Sequence, residues 1–73
     1  MAEEIKIRTA GCWELFEEVS GQQFEVGKTY KINIAGVCEF AISARKPTYS
    51  GIRTNEITFT KDNKNHLWIK TKA

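Results

Sequence analysis

The chain predicts a mainly β fold, a small antiparallel β-barrel or rolled sheet of about five strands with one short helix near residues 12–19. Three observations carry this. Tyr30, Ile32 and Ile34 alternate with Thr29, Lys31 and Asn33; Cys38, Phe40 and Ile42 alternate with Glu39, Ala41 and Ser43; and Ile57 and Phe59 alternate with Glu56, Thr58 and Thr60. A period of two puts one set of side chains on a dry face and the other in water.

The elements follow in order. Glu4-Ile5-Lys6-Ile7-Arg8 alternates charged with β-branched residues and reads as the first strand. Over residues 12–19, Cys12, Leu15, Phe16 and Val19 fall at helical spacing and leave Glu14, Glu17 and Glu18 outside. Gly11 before that segment and Ser20-Gly21 after it hold the helix to about two turns, which needs tertiary packing to persist. Gln22 to Lys28 reads as a strand entry with Phe24 and Val26 inward and a bend at Gly27. A strand over 28–34, a turn at Ala35-Gly36 and a strand over 37–44 form a hairpin with Tyr30, Ile32, Ile34, Phe40 and Ile42 inward. Arg45 to Thr54 holds Pro47 and Ser50-Gly51, keeps no period and reads as a long surface loop. The C-terminal part reads as a second hairpin, 56–60 and 66–70 joined by a turn at 61–65, with Ile57, Phe59, Leu67 and Ile69 in the core and Trp68 outward. The nearest general architectures are SH3-like and OB-like barrels.

Size and composition narrow the function. Seventy-three residues make one domain, 1–73, with a core of about 3–5 kcal/mol net stability and few side chains to spare for the walls of a catalytic cleft. Hydrophobic and charged fractions of 41% and 27% are those of a folded chain. There is no apolar run of membrane-spanning length and no basic-then-apolar leader, so a cytoplasmic protein is expected, with no membrane partner. Charge is lopsided: residues 1–26 carry two cations and six carboxylates, residues 27–73 nine cations and three. An acidic partner, protein or nucleic acid, suits the basic side.

Candidate chemistry is sparse. Cys12 and Cys38 lie far apart with one histidine, His66, in the chain, so no zinc-binding spacing exists; free, core-filling cysteines are expected, with a Cys12–Cys38 disulfide as the alternative. Ser20, Ser43 and Ser50 lack a nucleophile-elbow context. Gly27-Lys28-Thr29 has the ending of a phosphate loop, but Gln22 replaces its first glycine and a strand follows where a helix is required. Neither a catalytic residue, a metal site nor a cofactor is expected.

Two constellations remain. Arg45, Lys46, Tyr49, Ile52 and Arg53 combine cations with apolar anchors on the long loop, the composition of a protein-binding hot spot. Lys31, His66, Trp68, Lys70 and Lys72 would form a basic outer face around one aromatic, as on single-stranded nucleic-acid platforms; the plainer account packs Trp68 with Trp13 or Phe16 in a second small core. The expectation is a non-enzymatic small binding protein that docks on a larger protein and modulates or inhibits it. Compact regulators of this size occur among phage and mobile-element proteins. The alternative is a single-stranded nucleic-acid-binding barrel, and a small enzyme or metal-dependent domain ranks third. Oligomeric state is left open.

Overall fold

A computed structural model describes residues 7–71. The elements run β1 (Glu14–Leu15), α1 (Phe16–Ser20), β2 (Thr29–Ser43), β3 (Ile52–Thr60) and β4 (His66–Lys70). All strand pairs are antiparallel in one four-stranded sheet of order β1-β4-β2-β3. The fold is therefore mainly β, as the alternation predicts, but the sheet is open rather than closed into a barrel, and the described residues supply four strands rather than five. Residues 4–6 of the expected first strand lie outside the described residues, while Ile7 and Arg8 are irregular. No helix among the described residues is long and apolar enough to cross a membrane.

The central correction concerns β2. Ala35-Gly36 is not a hairpin turn: the chain continues as one fifteen-residue strand. Its pairing with β3 slips between Asn33↔Glu56 and Cys38↔Thr54, so four residues of β2 oppose the single Asn55. This is a wide bulge, and Gly36 takes φ 91° within it, a backbone conformation that disfavours any side chain. Between these two pairs the register advances five residues on β2 and two on β3, so β2 keeps its alternation while the inward positions of β3 change from odd to even numbers. Ile32, Ile34, Cys38 and Phe40 therefore all remain on the buried face.

Chain length shows how sharply β2 must bend. Thr60 lies opposite Thr29 and His66 opposite Ser43, the two ends of β2. The six Cα–Cα steps from Thr60 to His66 reach at most about 20 Å. A straight fifteen-residue strand would hold its ends about 46 Å apart, longer than the whole molecule at 33 Å. The bulge folds β2 into two arms and brings its ends within reach.

That crossover replaces the second expected hairpin. β3 and β4 are not neighbours; both pair with β2, on opposite edges. Residues 61–65 carry the chain across and are internally bonded. The Asp62 carboxylate accepts the N–H groups of Lys64 and Asn65 at 2.8 and 2.7 Å, and the buried Lys61 ammonium donates to the carbonyls of Asp62 and Asn65 at 2.7 and 2.8 Å. Local polarity suggests a two-stranded turn here because side-chain-to-backbone bonds of this kind serve turns and crossovers alike.

The core lies in the angle between the two arms. It contains all four phenylalanines, Phe16, Phe24, Phe40 and Phe59, with Ile32, Ile34, Leu67 and Ile69. Phe16 stacks on Phe24 at 5.8 Å between ring centroids, and Phe24 meets Phe59 at 5.1 Å and Tyr30 at 4.7 Å. Such aromatic pairs add about 0.5–1.5 kcal/mol each to their burial. Phe16 is delivered by α1, which is shorter than the 12–19 helix expected: Glu14 and Leu15 are drawn into β1 against Ile69 and Trp68. Gly21 N–H closes the helix on the Glu17 carbonyl at 3.1 Å.

Residues 22–28 form no strand; Phe24 is buried as expected, but Val26 is exposed at the turn. Ile57, Phe59, Leu67 and Ile69 do share the core, with Ile57 half-buried. Ile42 does not: it has the parity of Phe40 and pairs with the buried Leu67, yet is 45% exposed. Cysteine placement divides. Both thiols are free, with Cys38 buried and Cys12 exposed rather than core-filling.

Candidate functional site

The long loop is shorter and better anchored than its composition suggests. Ile52, Arg53 and Thr54 belong to β3, leaving residues 44–51 as the connection. Pro47 is buried, the Arg45 N–H donates to Ser43 Oγ at 3.3 Å, and the Gly51 N–H donates to Glu39 Oε1 at 3.0 Å.

Gly51 is held on its other side by packing. A Cβ at this position would meet the Phe40 carbonyl oxygen and come within 2.6 Å of Trp13 Cη2. Only a glycine allows this approach between loop, strand and indole. Trp13, itself buried, also lies over the Lys70 ammonium, 5.5 Å from nitrogen to ring centroid. Lys70 in turn faces the second Glu39 oxygen at 3.9 Å. Glu39, Lys70 and Trp13 thus form a brace on the outer face of the sheet, and its product is a fixed position for Gly51.

On the opposite side of the loop an apolar groove of about 360 Å³ opens between the end of β2 and the start of β3. Phe40, Ala41 and Ile57 lie among its lining residues, together with the exposed Ile42, Tyr49 and Ile52. Tyr49 is 53% and Ile52 64% exposed. The sequence pointed to Tyr49 and Ile52 but assigned Ile42 to the core, because alternation reports which face a residue takes and not how far that face is covered. Glu39, Gly51 and Trp13 carried no sequence signal as a unit; they are far apart along the chain.

None of the three cations lines this groove. Arg45 and Lys46 are exposed on the loop, and Arg53 lies opposite Glu39 in the sheet, on the face away from Ile52. Among the described residues none of the three has a carboxylate within 4 Å; the ion pairs there involve Lys28, Lys31 and Lys70.

The second constellation lies across two separate regions. His66, Trp68 and Lys70 do face the same side of β4, opposite Ser43, Ala41 and Glu39. Trp68 is half-buried and its indole N–H donates to the Ser43 carbonyl at 3.0 Å. Lys31 lies on the other arm of β2, 3.9 Å from Glu56. Lys72 lies outside the described residues. Trp13 and Trp68 both sit on the outer face near the β4 strand, Trp13 over Lys70 and Trp68 beside Ala41.

Thiol chemistry follows burial. Desolvation, with a smaller push from the neighbouring Glu39 carboxylate, drives the Cys38 thiol up to about 12. Its Sγ lies 3.7 Å from the Thr54 carbonyl oxygen, as a weak donor. Among the described residues no group of three or more His, Cys, Asp or Glu side chains is placed to hold a metal ion.

Compared with protein-family models, with curated proteins and with solved structures, the chain matches none.

Proposed function

We propose that this chain is a non-enzymatic binding protein that docks on a larger protein and modulates or inhibits it, using the groove between β2 and β3 and the loop over 44–51. The observation that supports this is the grouping of three exposed apolar side chains, Ile42, Tyr49 and Ile52, on a segment braced from behind by Glu39. Exposed apolar residues scattered singly are ordinary, whereas a contiguous set around a concavity, with Arg45 and Lys46 exposed on the same loop, is the composition of an interface. The brace lowers the cost of ordering the loop on binding.

The single-stranded nucleic-acid reading has less support. Its aromatic has its indole N–H engaged by Ser43, and Lys31 and Lys70 each approach a carboxylate. Stacking platforms require accessible rings and cations available to phosphate.

The test is capture from lysate of the source cell with the full chain as bait, with and without nuclease. Specific retention of a protein that resists nuclease and is lost with Tyr49→Ala or Ile52→Asp, in bait that unfolds as the wild type does, is the expected outcome. Retention that is unchanged by both substitutions, or that disappears with nuclease, would refute the proposal.

A further inference from the structure

We infer that the groove beside Ile42, Tyr49 and Ile52 takes a segment of a partner protein in which an apolar side chain is flanked by carboxylates. This rests on the docking role just proposed and names the chemistry of its partner.

The interior of the groove selects the apolar part. Its lining is dominated by aliphatic and aromatic side chains, with Ser50 the one polar side chain apart from the Tyr49 hydroxyl and no charged group. At about 360 Å³ it lies at the small end of ligand cavities and lacks the convergent polar groups that orient a cofactor or metabolite. One or two side chains of an apolar anchor fit that description better.

The margin selects the charge. Residues 40–55 contain Arg45, Lys46 and Arg53 and no aspartate or glutamate. Glu39, the adjacent carboxylate, is turned to the other face and occupied by the Gly51 N–H and by Lys70. Arg45 and Lys46, exposed on the loop that supplies Tyr49 and Ser50 to the groove, have no ion-pair partner among the described residues, whereas Arg53 shares the face of Glu39. Complementary charge at a rim chiefly steers encounter and rejects unsuitable partners. The same charge disfavours a second copy of this chain: a two-fold contact through this surface would bring the Arg45 and Lys46 of both copies into one interface.

The test is selection of peptides from a random display library on the full chain, followed by titration of the best synthetic peptide. Selected sequences should place Asp or Glu on both sides of a Leu, Ile, Phe or Trp. Affinity should fall about tenfold or more with Tyr49→Ala, and by a similar factor with the double substitution Arg45→Glu and Lys46→Glu. It should also weaken as sodium chloride is raised, while the unfolding transition of each variant stays at its wild-type position. Enrichment of uncharged peptides whose binding still depends on Tyr49 would overturn the acidic partner and leave the docking role standing. Selection of no peptide dependent on Tyr49 or Ile52 would overturn both. A concentration-dependent dimer in sedimentation, abolished by Ile52→Asp, would assign the groove to a second copy and overturn the inference.

Discussion

Glu39 Oε1 accepts the backbone N–H of Gly51 at 3.0 Å, joining the middle of the longest strand to the last residue of the exposed loop. Through this bond Glu39, which also faces Lys70, holds Gly51, one of the residues that line the groove.

Replacing Glu39 by alanine leaves the Gly51 N–H without its acceptor and Lys70 without its carboxylate. A net loss of about 1–2 kcal/mol is expected, read as a lower midpoint in urea unfolding. Glu39→Gln keeps an acceptor oxygen and should recover most of that loss. Equal midpoints for wild type and Glu39→Ala would show that the brace contributes nothing.

Gly51→Ala tests the close approach itself. The added methyl collides with the Phe40 carbonyl oxygen and Trp13 Cη2, so strand, indole or loop must shift, at about 1–3 kcal/mol. Because Trp13 is one of the two tryptophans in the chain, the displacement should also change the emission of the folded protein. A variant with wild-type stability and spectrum would mean that the loop is free to move away.

The two thiols should react very differently. Cys12 is exposed, while Cys38 is buried with its thiol pushed up to about 12. At pH 8 an alkylating reagent should add one group to the native protein, at Cys12, and two to the chain in denaturant. Mass analysis of the alkylated protein locates them. Rapid modification of both sites in native buffer would contradict the packing of Cys38.

The crossover at 61–65 gives stability an acid limb. Hydrogen bonds from the N–H groups of Asn65 and Lys64 hold the Asp62 carboxyl below its ordinary value of 3.8. A depressed carboxyl contributes stability that is present above its unfolded value and is lost as pH falls through its folded one. Asp62→Ala should therefore be less stable than the wild type at neutral pH, with the difference narrowing in acid below about 3.8. A difference that stays constant from neutral to strongly acidic solution would show that the carboxylate is not what orders this turn.

Period-two alternation was enough to read the β class, the faces of β2, of β4 and of β3 from Glu56 to Thr60, and most of the core. Each of these is a local matter: period-two alternation reports which way a side chain points, and Phe16, Phe40, Phe59, Leu67 and Ile69 are simply the apolar residues on the inward side. The sequence also singled out Tyr49 and Ile52, both of which the structure leaves exposed. Tertiary structure decided what depends on contacts between distant segments. A small residue followed by glycine suits a turn or a bulge equally, and the choice at Ala35-Gly36 is made by β3, which pairs with both arms of β2 and so keeps them from pairing with each other. Ile42 is exposed although it pairs with the buried Leu67, and the pairing of β2 with β3 and β4 sets Glu39 beside Lys70 and within reach of Gly51. The groove is thus a product of strand curvature and register, which the order of residues along the chain does not display.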